Sequence, residues 1–344
     1  MFKHVSFGVI GSKHVELLRQ YFRVEPIDEL AFPFIHIVSH PLVLMQPYFY
    51  PLQKFEKKIA RNLYRISGMI GVDVADSDHI TSYAVHLTQY AKAIIVPSNF
   101  ARKSYLNSGV KVPVHIVPHG VDIEFIDAPK QPPLIFKPIN DLKQKTNSKL
   151  ITCWILHSEY RKGLDILIEY YRRLRNERKD VLLCLRTAGG IDIIEDVNEA
   201  NNPKKISTLP IKWLTEQQKM ELFDVCDLYF LSSRGGAFEH PPLEALARGE
   251  IVLGAKGGAW EDYLPDWALI PSRKSGQVLP NNEIHDGCGV EVLIDKAVDK
   301  TIEIFNNMDE YKARVQEHID TCVKQNFTWE KIGLQLKNVV QKYL

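Results

Sequence analysis

At 344 residues the chain is too long for one small core and suits two domains. Its 45% hydrophobic and 25% charged content is that of an ordinary soluble globular protein, and 43 basic against 42 acidic residues leave no global field for binding nucleic acid. No apolar run reaches membrane-spanning length, the N-terminus lacks the apolar stretch of a signal peptide, and the cysteines at 153, 184, 226, 288 and 322 are scattered like small hydrophobes of a reducing, cytosolic protein.

Val5–Ile10 reads as a strand that ends at Gly11-Ser12 and enters a helix, Lys13–Phe22. This is the opening of a Rossmann-like domain, but it has no G-x-G-x-x-G, which argues against a dinucleotide site there. Phe34–Val38 is a second apolar strand pattern. In 53–66, Phe55, Ile59, Leu63 and Ile66 recur at helical spacing, while Lys54, Lys57, Lys58 and Arg61 form a basic face. That face could meet an anionic membrane surface or a lipid-linked substrate, but the plain solvent side of a packed helix is the commoner reason for such a pattern.

Met69–Val74 predicts a strand leading into Ala75-Asp76-Ser77-Asp78-His79. Carboxylates and a histidine at the C-terminal end of a parallel strand lie where open α/β sheets place ligands, although Ser77 or Asp78 can also cap the next helix. Ala93–Val96 and Val114–Val117 are further strands, separated by a helix over Phe100–Ser108 that stops at Gly109; the second ends in Pro118-His119-Gly120. The proline-rich and then lysine-rich stretch 129–148 predicts a linker between a first domain, 1–128, and a second, 149–327.

The second half restarts with a strand, Leu150–Leu156, followed by Arg161-Lys162-Gly163 and a helix, Leu164–Arg175. Two cations just before a helix N-terminus suit an anion, although Arg-Lys pairs are also common on ordinary surfaces. Val181–Arg186 is a strand, Glu216–Cys226 a helix capped by Thr215, and Leu228–Leu231 a buried strand. That last strand opens into Ser232–Gly249, where Gly235, Gly236, Ala237 and Phe238 precede a helix start at Pro241-Pro242. Strand, glycine loop and helix N-terminus expose N–H groups suited to phosphate, and Glu244, placed in the first turn, suits ribose or sugar hydroxyls. The plain alternative is a strand-to-helix connection with Glu244 as a partner of the helix dipole. Thr328 is the expected cap of the last helix.

The order and spacing of VPSNFARKSYLNSGV, VPHGVD, HSEYRKGLDIL, WLTEQQKMELFDVCDLYFLSSRGGAFEHPPLEALARG and FTWEKI resemble glycosyltransferase family 4. The resemblance implies an α/β protein of the GT-B fold: two Rossmann-like domains with parallel sheets facing across a cleft, and a C-terminal helix (328–344) crossing back to the first domain. It implies a retaining hexosyltransferase that uses a nucleoside-diphosphate sugar and needs no metal or other cofactor. Arg161 and Lys162 would neutralise the departing diphosphate. Gly235, Gly236, Ala237, Phe238 and Glu244 would hold the donor, with Trp213 and Leu214 near the base and His119 close by. Two departures stand out. Gly236 occupies the place of the first glutamate of the family's E-x7-E motif, so Glu239 is expected to substitute. Asp76 is expected to stand in for a histidine that many members carry after the strand at 69–74. A nucleotide-sugar epimerase and a catalytically silent nucleotide-sugar binder are the alternatives, and the acceptor carries no readable signature.

Overall fold

The computed structural model describes residues 6–130, 132–197 and 203–344. Strand and helix alternate through two lobes. In the first, β1 (Leu42–Met45), β2 (Gly68–Val72), β3 (Ala93–Val96) and β4 (Val114–Ile116) form a parallel sheet in chain order. β3 is buried along its whole length and β2 nearly so, which their uninterrupted apolar runs require. Ser98 caps the helix Asn99–Asn107, its Oγ accepting from Ala101 N–H at 3.1 Å, and Gly109 takes the left-handed conformation that ends it.

Three expectations for this lobe need correction. The stretch read as strand Val5–Ile10 is helical over its described part, because Ser6–Leu18 is one helix; Val5 lies outside the described residues. Its apolar residues satisfy helical spacing as well as alternation. Ile10, Leu17 and Leu18 form one stripe that packs on Ile70, Val72 and Ile95 of the sheet. Phe34–Val38 is not a strand either. Phe32–Phe34 is a single 3-10 turn with Pro33 in its first positions, and Val38 is 82% exposed, so the edge of the sheet falls to β1. The helix Ser82–Leu87 is capped by Thr81, which accepts from Ala84 N–H at 3.0 Å, rather than by Ser77 or Asp78.

The second lobe holds a seven-stranded sheet built from β5 (Lys149–Ile155), β6 (Val181–Thr187), β7 (Gly190–Asp196), β8 (Lys204–Leu209), β9 (Leu228–Leu231), β10 (Ile251–Ala255) and β11 (Leu269–Ile270). Its order is β11-β10-β9-β5-β6-β7-β8, parallel except for the antiparallel edge β6-β7-β8. The chain therefore proceeds outward from β5 on one side and from β9 on the other. In an open α/β sheet such a reversal opens a crevice at the C-terminal ends of the two strands, where ligands bind. Within the segment 129–148, Lys137–Thr146 is helical, and Phe136 and Ile139 are buried against Leu182 and Cys184 of this lobe.

A two-stranded antiparallel hairpin, β12 (Ser272–Gln277) and β13 (Cys288–Val292), leaves the second lobe and reaches the first. The C-terminal helix Trp329–Gln341 also crosses back, as the resemblance implied. Phe327 O accepts from Val121 N–H at 2.8 Å, and Trp329 N–H donates to Val121 O at 3.1 Å. Ile332, Leu336 and Val339 then join the stripe of the N-terminal helix. Burying one such aliphatic side chain contributes roughly 1.5–3 kcal/mol. Thr328 holds the cap position, but its side chain makes no capping bond.

Candidate active site

The loops after β5 and β9 meet at the reversal point of the second sheet. Gly163, at φ 70°, lies so close to the Ser232 carbonyl that a Cβ there would overlap it. The contact pins the cationic pair. Arg234 N–H donates to Arg161 O at 2.7 Å, and Ser232 Oγ donates to Lys162 O at 2.7 Å. The two side chains point into the same place. Arg161 Nη1 donates to Gly235 O at 2.9 Å and stands 3.7 Å from Glu239 Oε1, while Lys162 Nζ is bonded to Glu239 Oε2.

Glu239 sits at φ 63°, ψ 87°, a left-handed conformation unusual for a residue with a side chain. Tyr263 Oη donates to its carbonyl at 2.8 Å, and Lys162 holds its carboxylate. A Cβ built on Gly236 would overlap Glu239 Oε1 and lie 3.1 Å from its Cγ. Glu239 thus fills the space beside position 236, and any side chain there would have to displace its carboxylate.

The first lobe contributes Asp76, from the turn after β2. Its Oδ1 accepts from Ala237 N–H at 3.1 Å, and its Oδ2 lies 3.6 Å from Arg161 Nη1. Burial pushes the Asp76 carboxyl up, but Arg161, His285, Lys162 and the Ala237 N–H outweigh it and hold the pKa below the usual value. The Asp76 carbonyl touches the glycine loop so closely that a Cβ on Gly235 would overlap it. The structure thus brings Arg161, Lys162, Asp76, Glu239, Gly235, Gly236 and Ala237 together. Asp78 and His79 face elsewhere: Asp78 pairs with Lys274 at 2.9 Å and with His79 at 3.1 Å.

Glu244 differs from expectation in two respects. The helix begins at His240 with Glu239 as its cap, so Glu244 falls in the second turn. Its carboxylate is buried and held by Lys219, with His240 Nδ1 at 3.4 Å. Burial lowers the Lys219 pKa, but Glu244 and Glu216 together carry it above its usual value. Lys219 carries no motif of its own; only its position on the helix Glu216–Val225, started by the Thr215 capping box, brings it to Glu244. Phe238 is buried, with its ring 4.8 Å from that of His119. Trp213 is 62% exposed on the segment before that helix, while Leu214 packs on the core beneath.

A small cavity of about 40 Å³ lies in the first lobe, lined by His14, Gln46, Asp73 and His119 among others, and by none of Arg161, Lys162, Asp76 or Glu239. Among the described residues no group of three or more His, Cys, Asp or Glu side chains is placed to hold a metal ion. No helix of the described residues is long and apolar enough to cross a membrane.

Two α/β lobes that meet at the C-terminal edge of the second sheet, with a helix returning to the first, define a protein of the GT-B fold. Solved structures of that fold agree. Anabaena HepE, in complex with UDP and glucose, superposes at a TM-score of 0.60 and 15% identity, covering 88% of this chain and 78% of that one. Sucrose-phosphate synthase from Thermosynechococcus elongatus gives 0.61 at 14% identity, covering 88% and 73%. No family model matches the chain. The chain belongs to the same family as "Uncharacterized protein 356" of Sulfolobus islandicus rod-shaped virus 1, with 33% identity over 350 residues that cover 98% of this chain and 96% of that one. It is also 26% identical over 244 residues to "Putative glycosyltransferase 45" of Sulfolobus islandicus filamentous virus (isolate Iceland/Hveragerdi), covering 68% of this chain and 63% of that protein.

Proposed function

We propose that the chain is a glycosyltransferase, moving a hexose from a nucleoside-diphosphate sugar to an acceptor hydroxyl held by the first lobe, with retention of anomeric configuration and without a bound metal. The observation that carries this reading is the convergence of Arg161 and Lys162 on the glycine loop and the N-terminus of the helix His240–Ala247, at the point where the sheet order reverses. The UDP and glucose of the HepE structure, the name of the filamentous-virus relative and the resemblance to family 4 support it.

Arg161 and Lys162 are formally balanced by Asp76 and Glu239. An incoming diphosphate therefore requires Glu239 to release Lys162. Lys162 and Arg161 then meet phosphate oxygens, and Glu239 turns to the sugar hydroxyls. The bond from the anomeric carbon to the diphosphate breaks as the acceptor oxygen attacks from the same face, and the acceptor's proton leaves with the diphosphate. Positive charge fixed in place before the reaction stabilises the charge that develops on the leaving group. The exposed basic residues of 53–66, Lys54, Lys57, Lys58 and Arg61, are the surface of the first lobe that suits an anionic membrane.

The test is a thermal-shift screen against UDP, GDP, ADP and their sugars, followed by a transfer assay with the donor that raises the melting temperature. The Arg161→Ala, Lys162→Ala double variant is expected to lose that shift and at least roughly 100-fold in kcat/KM. Full activity in this variant would remove both assigned roles.

A further inference from the structure

His285 belongs to the connection between β12 and β13, far in sequence from every motif discussed above. The hairpin is bound to the first lobe at the turn that carries Asp76. Asp78 N–H donates to Cys288 O at 2.8 Å, Cys288 N–H donates back to Asp78 Oδ1 at 2.7 Å, and Thr81 N–H donates to Ile284 O at 2.9 Å. It also roofs the glycine loop of its own lobe, where Val290 N–H donates to Arg234 O at 2.8 Å and Val278 packs over Gly235.

Within this roof His285 is fixed at its backbone. Its N–H donates to Asn282 Oδ1 at 2.9 Å, and it forms a β-bridge with Ile80. The residue is only 8% exposed, and its Nδ1 is buried without a hydrogen-bond partner. The ring lies near enough to Asp76 and Arg161 to interact with both charges; burial lowers its pKa, Asp76 opposes that change and Arg161 adds to it. A neutral imidazole offers one donor and one acceptor, and a sugar hydroxyl can serve either. An unpaired buried ring nitrogen is costly, so a site that retains one favours a ligand group that pairs with it.

We propose that His285 hydrogen-bonds a hydroxyl of the sugar being transferred, which makes the β12–β13 hairpin the element that reads the donor's sugar. This rests on the nucleotide-sugar reading of the site. Because the hairpin that carries His285 is bonded both to the turn after Asp76 and to Arg234 of the glycine loop, the histidine is a positioning residue for the sugar rather than a ligand of the phosphates.

Calorimetry with UDP against UDP-glucose, and GDP against GDP-mannose, tests this on the full chain. His285→Ala is expected to weaken binding of the sugar nucleotide by roughly tenfold or more while leaving the free nucleotide within about twofold. His285→Gln, which keeps a neutral hydrogen-bonding group, should recover part of the loss, and unchanged melting temperatures would show that both variants fold. Among monodeoxy-sugar donors, one should bind wild type and His285→Ala alike. Equal losses for nucleotide and sugar nucleotide, or no loss for either, overturn the assignment while leaving the donor site standing. If wild type binds none of the four ligands, the nucleotide-sugar reading fails, and this assignment fails with it.

Discussion

The carboxylate of Glu239 lies where a side chain at position 236 would have to go, and Lys162 holds it there. The pair Gly236 and Glu239 should therefore behave as one unit. Gly236→Ala is expected to push Glu239 off Lys162 and to lower transfer about tenfold or more, yet to cost little further in a Glu239→Ala background. A double-mutant cycle on kcat/KM should return a coupling of roughly 1–3 kcal/mol. Additive effects would mean that the overlap is relieved elsewhere.

The hairpin contact offers a second test. A Cβ on Gly287 would lie 2.5 Å from His79 N and 3.1 Å from Asp78 N, both backbone atoms that cannot rotate away. Gly287→Ala should lower unfolding stability by about 1–3 kcal/mol, read by urea titration, because the strain of overpacking falls on the joint between the lobes. It should also lower donor affinity, since the same joint holds Asp76 against Ala237. Wild-type stability with wild-type affinity would show that the hairpin is not needed to hold the lobes together.

These two relationships also show where sequence reading reached and where it stopped. Arg161, Lys162 and the glycine loop were legible because a parallel sheet places its ligands at strand ends, and β5 and β9 are buried apolar runs that announce those ends. The same ground covers Asp76, Asp78 and His79 alike, and only the resemblance to family 4 separates Asp76 from the other two. His285 was not legible, because its role depends on a hairpin folding back onto a turn more than half the chain away. Lys219 has no sequence signature for the same reason: its partner Glu244 is set by helix docking. In the fold, the N-terminal helix is ambiguous in sequence because the spacing of Phe7, Val9 and Ile10 fits two periods, and only its packing on Trp329–Gln341 decides between them. The antiparallel edge β7-β8 went unread, since β8 is a largely exposed strand with lysines and little alternation.

The helix Phe49–Asn62 and the turn after it bear on the acceptor side. Lys54, Lys57, Lys58 and Arg61 are exposed, Tyr64 is 72% exposed, and Phe34, 58% exposed, lies with its ring 3.9 Å from Lys58 Nζ. Cations beside exposed aromatic rings suit an interface of anionic lipid headgroups, at about 1 kcal/mol per basic residue near the surface. Sedimentation with vesicles containing an anionic lipid is expected to carry the protein down, neutral vesicles should not, and Lys57→Glu, Lys58→Glu, Arg61→Glu together should abolish the effect. Equal recovery with both kinds of vesicle, or with neither, would reduce this face to ordinary solvent-exposed charge.

The pH dependence of stability should carry opposite contributions from two residues that line the first-lobe cavity, Asp73 and His14. Burial raises the Asp73 carboxyl to about 6, against the lowering effect of the N–H groups of Phe49, Val74 and Tyr48; nearby Asp76 adds to the rise. Burial likewise lowers His14 to about 4, with its bond to Gln46 acting the other way. For Asp73 the folded state holds a proton that the unfolded state has lost between about pH 4 and 6, so this group penalises folding increasingly as pH rises to 6 and fully above it. For His14 the unfolded state takes up a proton that the folded state refuses between about pH 6.5 and 4, so its penalty grows as pH falls through that window. Asp73→Asn should accordingly gain stability relative to wild type on going from pH 4 to pH 7, by up to roughly 3 kcal/mol, and His14→Gln should gain on going from pH 7 to pH 4 by a similar amount. Urea midpoints across pH 4 to 8 for the three proteins check both signs at once. Parallel profiles would show that neither group is forced neutral by its burial.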